Sequence, residues 1–479
     1  MKSSWEVMKF GGSSVAAARH WPTILKLCQN KISMGNNVLV VLSALKNVSN
    51  TLEALVHQAL AGVHQNAIQR IKDYHCGFAS ELSLDGGELL ANLFDELISV
   101  CEQINQQQTI SPENYAKVLS FGELLSSTLG ANYLQQHSKH CQWIDVREIL
   151  KTSINSIHKA DNDWHHFLSA DCDYSYNAEL TFRYDSGSHL LVTQGFIASD
   201  QNNKTVLLGR EGSDTSASYL AAIVAARKIE IWTDVAGVFT TNPRELTNAR
   251  QLKRLSFDDA RRMANFGAKV LHPIALIPAE KNNIEVVVND ISNPDKFGTT
   301  INSQASHHSS TPFAVVVRKK VTQINFNFDK KETINTLEAM GYDILLDCSK
   351  MKTVNYNHQL FLRFVDTTSA EPDQDTIASI LTLKSSHSDK VENIHINYSI
   401  GMLTIVGKEN GEWVKDVELF SQKQLDIDHQ DCFSFQSSGR ISIICDKERV
   451  LSNLALLHNK FIDNNDSDIF GQCWNQIEN

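Results

Sequence analysis

Blocks of apolar and polar residues change period along the chain, and the period separates strands from helices. WEVMKF (5–10) is a short apolar run broken by Gly11-Gly12, with Ser13 or Ser14 placed to cap a helix. NVLVVLSAL (37–45) is continuously apolar and closes on small residues, as a strand buried on both faces does. Residues 51–76, 86–105 and 113–136 carry helical spacing, and CQWIDV (141–146) reads as another strand. A polar, turn-rich stretch (152–184) then reads as an irregular excursion over a site or contact surface. Order returns with strands at HLLVTQGF (189–196) and TVLLG (205–209), a helix over 214–228 and a strand at IEIWTDV (229–235). Helical stretches near 257–265 and 270–281 follow, then IEVVV (284–288), and in NFGAKVLHP (265–273) Gly267 and Lys269 sit at the start of a helix ended or bent near Pro273. Strands alternating with helices predict an α/β domain with a mostly parallel sheet over 1–300.

GTTINSQASHHSSTP (298–312) reads as a linker, and the rhythm beyond it differs. TQINFNF (322–328) alternates, ETINTLEAMG (331–340) is helical, and YDILLD and LFLRFVD are strands. The pattern returns through MLTIVG, a helix near 412–423, DCFSFQS, RISIICD and a helix at 447–460. Two passes of this kind predict two small α+β modules, 312–390 and 391–470, which pack sheet edges within the chain or across a dimer.

Composition narrows the function. Among 479 residues, 44 Lys and Arg face 55 Asp and Glu, and the net charge of −11 argues against nucleic acid as a partner. Nine scattered cysteines form no CxxC pair, so neither a disulfide framework nor a metal site is expected. Lys2, Glu6 and Lys9 interrupt any leader-like apolar run, and no 18-residue apolar stretch predicts a membrane span. A cytoplasmic protein is expected.

The chemistry concentrates at glycine-rich junctions between strand and helix. At KFGGSS (9–14), glycines let backbone N–H groups approach an anion, a helix start adds a favourable field, and Lys9 adds a mobile charge. The lysine precedes the glycines, unlike the GxxxxGK[ST] loop, and a plain strand–turn–helix explains these residues as well. LLGREGSDTSA (207–217) repeats the arrangement with Arg210, which can hold a carboxylate, and Asp214, which is either a helix cap or an orienting acid. Two such junctions suggest an acidic substrate beside a polyphosphate. WTDVAGVFTTNPR (232–244) is a turn-rich loop able to grip a nucleotide or simply to face solvent. Lys269 at a helix start opposes the helix dipole, which hints at a nearby anion, whereas His272 reads as structural. Glu123, in SFGELLSS, is a surface carboxylate or an anchor for an ammonium group.

Taken in order, KFGGSS, SALKNVSN (43–50), SFGELLS, DVR (145–147), TQGF (193–196), GREGSDTSA, WTDVAGVFTTNPR and FGAKVLHP resemble the aspartate kinase family. The resemblance spans about 300 residues and, more loosely, the rest; GELLSS and the GM–IVG segment (401–407) lean toward its lysine-sensitive bacterial type. It implies a carbamate kinase-like three-layer amino acid kinase sandwich followed by two ferredoxin-like ACT modules. It also implies transfer of the ATP γ-phosphoryl to the side-chain carboxylate of L-aspartate, the first step toward lysine, threonine and methionine. Lys9 and Asp214 would be catalytic; Ser49, Glu123, Arg210 and Ser213 would hold aspartate. Lys9, Gly11, Gly12, Ser13, Thr233, Asp234, Phe239, Arg244 and Lys269 would hold ATP, with Mg²⁺ carried mainly on the phosphates. A homodimer or higher homo-oligomer and an amino-acid effector at the ACT modules are implied as well. Another acidic substrate, such as glutamate or its N-acetyl form, and an inactive effector-binding paralogue are the alternatives; no second GxGxxG unit suggests a fused dehydrogenase. Three departures stand out: Asn242 where the family has an acid, Glu211 where it has a small or neutral residue, and an enlarged 152–184. Only DKKE separates INFNF (324–328) from the next helix, so the effector loop looks shortened, and the tail is either a scaffold or an altered sensor.

Overall fold

The apolar runs become strands at nearly the expected places, and their order across the sheet brings distant loops together. The computed structural model describes residues 5–138, 140–153, 163–183, 189–209, 211–266, 268, 271–304, 312–327, 329–339, 342–347, 358–364, 376–377, 380–381, 394–409, 411–425, 432–435, 439–462 and 469–477. The strands of the first 301 residues are β1 (Trp5–Phe10), β2 (Asn37–Leu42), β3 (Cys141–Trp143), β4 (Leu190–Gln194), β5 (Ile197–Ser199), β6 (Thr205–Leu207), β7 (Lys228–Thr233), β8 (Arg250–Leu252), β9 (Arg254–Leu255), β10 (Glu285–Asp290) and β11 (Thr299–Ile301). Eight of them form one sheet in the order β3-β4-β2-β1-β7-β10-β11-β9. The first six in that order run parallel, and β11 turns antiparallel to β10. Successive strand residues point to opposite faces, and all six residues of β2 are buried, so helices cover the sheet on both sides.

Buried charge near the start of β1 is neutralised in place. Glu6 and Glu230 both bind Lys31 Nζ at 2.6 Å; Arg227 also pairs with Glu6, and Lys228 reaches Glu230 at 3.1 Å. The adjacent lysines outweigh burial and hold the Glu230 carboxyl below its ordinary range.

Pro273 opens the helix Pro273–Lys281 instead of ending one. Its missing N–H costs nothing at the first helical position, where no acceptor exists for it. The 51–76 helix divides into Val48–Leu60 and Gln65–Glu81, with Gly62 at φ +73° in the turn between them.

The C-terminal strands β12 (Ala314–Phe326), β13 (Tyr342–Asp347), β14 (His358–Phe364), β15 (Ile394–Val406), β16 (Cys432–Phe435) and β17 (Arg440–Asp446) make one antiparallel sheet. Its order is β13-β14-β12-β15-β17-β16. Consecutive modules would each own their strands; here β12 and β15 are thirteen residues long and pair along both halves, with register shifts between Arg318 and Gln323. One half packs Val315, Ile405, Ile443 and Leu454 into the core of the α/β domain. The other buries Ile324, Phe326, Tyr342 and Leu360 in a core of its own. The segment between β12 and β15, which carries β13 and β14, is thus nested inside a unit whose strands lie on either side of it in sequence. A last strand, β18 (Phe470–Cys473), pairs with β8.

Candidate functional site

Parallel strands end together, and the loops leaving their carboxyl ends form the site, as open α/β sheets require. Backbone bonds tie those ends in a row: Gly195 N–H donates to Leu42 O (2.9 Å), Ser43 N–H to Phe10 O (3.2 Å), Gly11 N–H to Trp232 O (3.1 Å) and Ile291 N–H to Thr233 O (3.0 Å). The KFGG, SALKN, TQGF and TDVAG segments therefore lie side by side.

Lys9, near the end of β1, is largely buried and its Nζ lies 2.5 Å from Asp214 Oδ1. Asp214 sits in the first turn of the buried helix Gly212–Ile223, whose N-cap position is Glu211. It is therefore not the cap, and its carboxylate pairs with Lys9. The turn after β1 is a short helix, Gly12–Val15, with Ser14 donating to Trp232 O at 3.2 Å. A Cβ on Gly12 would stand 2.7 Å from Ala44 O, so the turn can lie against the β2 loop only with glycine there. The N–H groups of Gly12 and Ser13 are in the first turn, where a helix supplies no acceptor.

Glu123 enters from the long helix Pro112–His137, opened by Ser111 accepting from Asn114 N–H (3.1 Å) and Pro112 in its first turn. The helix is buried nearly all round. At Gly122 a Cβ would meet Ala44 Cβ at 2.9 Å, so the missing side chain lets the helix touch the β2 loop. Glu123 Oε1 consequently accepts from Ala44 N–H at 3.1 Å. Its Oε2 is buried without a hydrogen-bond partner among the described residues. Burial pushes the Glu123 carboxyl up to about 8, against smaller opposing pulls from its hydrogen bonds and from Lys9.

Ser213 is buried beside Gly195, where a Cβ would stand 2.7 Å from Ser213 Oγ. Three non-glycine residues in left-handed conformations lie in the same loops: Asn47 (φ +68°), Phe196 (φ +67°) and Glu211 (φ +55°). Strain of this kind persists where surrounding structure enforces it, and it concentrates at functional sites. Ser49 is exposed in the first turn of Val48–Leu60. Thr233 ends β7, and Asp234 beside it pairs at 3.0 Å with Arg244, both exposed at the mouth. Asn242 Oδ1 accepts from Arg244 N–H at 3.1 Å, so the amide supplies the turn acceptor that an acid would. Phe239 is placed elsewhere: buried with Ala236, Ala249 and Ile477, its ring faces Trp474 at 5.3 Å. Arg210 and Lys269 lie outside the described residues.

Three contributors are absent from the sequence expectations: the Ala44 N–H that holds Glu123, the glycine contact at position 122, and Trp474 behind the 238–244 loop. The motifs SALKN and SFGELLS contain the first two, but nothing local shows that they touch. Among the described residues no three His, Cys, Asp or Glu side chains converge as a metal site, and no helix is long and apolar enough to cross a membrane.

Residues 4–290 match the model of the amino acid kinase family. The chain is 31% identical over 343 residues to lysine-sensitive aspartokinase 3 of Escherichia coli, covering 70% of this chain and 71% of that protein. It is 32% identical over 306 residues to a chloroplastic bifunctional aspartokinase/homoserine dehydrogenase of Arabidopsis thaliana, of which it spans about a third (32%). The crystal structure of E. coli aspartokinase III with aspartate and ADP superimposes with a TM-score of 0.74 over 95% of this chain and 99% of that one, at 24% identity, a likeness of fold. An amino acid kinase fold with additional β-rich C-terminal units, a match over most of the first 300 residues, and the shared sequence of the relatives converge: the chain belongs to the amino acid kinase family and, within it, to the aspartokinases.

Proposed function

We propose that the protein transfers the γ-phosphoryl group of ATP to the side-chain carboxylate of L-aspartate, giving 4-phospho-L-aspartate. The observation that carries the proposal is the Lys9–Asp214 pair at the strand ends, beside a buried carboxylate with one oxygen unpartnered. Glu123 then receives the substrate ammonium, and Arg210, Ser213 and Ser49 orient its carboxylates. The Gly11–Ser13 turn donates N–H groups to the phosphates, while Thr233, Asp234, the 238–244 loop and Lys269 hold the nucleotide.

In this scheme a side-chain carboxylate oxygen of aspartate forms a bond to the γ-phosphorus as the bond to the β–γ bridging oxygen breaks, and ADP leaves with that electron pair. The attacking carboxylate is already ionised at neutral pH, so no general base is needed. Lys9 neutralises charge on the transferring group, and Asp214 aims the ammonium. Asp214 is engaged by Lys9 and Asp234 by Arg244, which suits a cation arriving on ATP more than one held by these two acids. Mg²⁺, if carried in on the phosphates, would supply charge neutralisation and orientation beside Lys9.

For the C-terminal sheet we propose paired ACT modules that scaffold a homodimer in a cytoplasmic enzyme of lysine, threonine and methionine formation. Asp329 Oδ1 accepts from Glu332 N–H at 2.9 Å, so the acid caps the helix Lys330–Ala339 where an effector carboxylate would bind. Titration with lysine, threonine and methionine is expected to leave activity unchanged; clear lysine inhibition refutes the scaffold reading. The activity itself is tested by trapping the acyl phosphate as a hydroxamate with MgATP and aspartate, glutamate or N-acetylglutamate. Product from aspartate alone is expected, and product from another acid alone overturns the assignment.

A further inference from the structure

The nucleotide loop has two faces. Its outer face carries Asp234 and Arg244, while its inner face is built on the C-terminal part of the chain. Val238–Thr240 lies against β8: Leu252 N–H donates to Val238 O, and Thr240 N–H to Arg250 O, each at 2.8 Å. β18 adds to the far edge of β8 as a third strand. Its flanks are tied by Lys253 N–H to Ile469 O (2.9 Å), Trp474 N–H to Ala249 O (2.9 Å) and Asn475 N–H to Thr247 O (3.2 Å). Arg250 covers the Phe470 ring at 5.1 Å, and Lys296 Nζ donates to Ile477 O at 3.1 Å.

Side chains close the remaining gap. The Trp474 ring meets Phe239 edge-on, inside the cluster of Ala236, Ala249 and Ile477. Next to it Thr240 Oγ1 and His458 Nε2, both fully buried, lie 2.8 Å apart. Residues 238–240 are thus supported by β8, by Ala236 and Ala249, by Thr299 Oγ1 accepting from Val238 N–H (2.7 Å) and Val315 N–H donating to Thr240 O (2.7 Å), and by His458, Trp474 and Ile477 far along the chain.

We infer that the Phe470–Ile477 segment is part of the nucleotide site: Trp474 is a positioning residue that holds the 238–244 loop in its binding shape through Phe239. The inference rests on the assignment of that loop to ATP. Docking of the segment and binding of nucleotide then stabilise each other, and linkage requires the same factor in both directions.

The test is hydrogen exchange on the full-length protein with and without saturating MgADP. Protection is expected at 9–15 and 233–244, with about tenfold slower exchange at the amides of 470–475, the size of a modest coupling. Protection of the loop without change at 470–475 overturns the inference and leaves the kinase assignment standing. No protection at either place, with no MgADP binding, overturns both. In kinetics, Trp474→Ala raises KM for ATP about tenfold by the same coupling, with KM for aspartate unchanged, and Trp474→Phe restores it. A residue that only stabilises the fold lowers the melting temperature without separating the two KM values, and that result also overturns the inference.

Discussion

Substrate binding should expel a proton. Glu123 is 3% exposed and its carboxyl titrates near 8, chiefly because burial penalises the anion. At pH 7 about nine-tenths of the free protein therefore holds a proton on this side chain. An ammonium docked against the unpartnered Oε2 pays off only if Glu123 is ionised, so aspartate binding releases roughly 0.9 proton at pH 7 and about 0.5 at pH 8. Ionising the acid at pH 7 costs about 1.4 kcal/mol, and the apparent Kd for aspartate falls roughly eightfold between pH 7 and pH 8.5. Calorimetric titration of aspartate in phosphate and in Tris reads the release directly, because the observed heat changes with the buffer's ionisation enthalpy. Glu123→Gln keeps the shape and an acceptor for Ala44 N–H, and it should abolish both the buffer dependence and the pH dependence. Equal heats in the two buffers at pH 7, or a release that survives in Glu123→Gln, refutes the role of this carboxylate.

The same shift has a stability counterpart. With the folded value raised above the unfolded 4.5, the contribution of Glu123 is full below pH 4.5 and is lost as pH rises through 8. Glu123→Gln should therefore melt higher than the parent protein at pH 8, with the gap shrinking toward pH 5. His75 behaves oppositely: burial lowers it from 6.5 to about 4, so unfolding takes up a proton as the pH falls from 6.5. The His75 contribution should fall by about 2 kcal/mol between pH 7 and 5, against the opposing gain from Glu123, and it is read as the difference in urea stability between the parent and His75→Leu over that range. Lys9→Ala should reduce turnover by about 10²–10³-fold with a much smaller change in affinity for a non-hydrolysable ATP analogue; equal losses refute the catalytic assignment. Gly12→Ala forces a Cβ to 2.7 Å from a backbone oxygen and should cost about 1–3 kcal/mol. Gly11→Ala, whose nearest contact is 3.6 Å, should unfold in denaturant close to the parent midpoint.

What the sequence disclosed was local. A glycine pair after WEVMKF, and another glycine turn before the helix at 212, are visible because strand, turn and helix occupy neighbouring residues. That Lys9 and Asp214 meet is a fact of sheet order, since β7 lies beside β1 although some 220 residues separate them in the chain. Pro273 was ambiguous because the property that breaks a helix interior is harmless at its first position. The nesting of the C-terminal units was hidden in Arg318-Lys319-Lys320: three charged residues separate an apolar run from an alternating one, yet a single strand continues through them with a register shift. Phe239 shows the limit most clearly. It belongs to a loop motif by sequence, but its ring turns inward because Trp474, 235 positions later, completes an apolar cluster there. The outer face of the loop then presents Arg244 and Asp234, and the aromatic residue bears on that face only through the C-terminal segment that pins it.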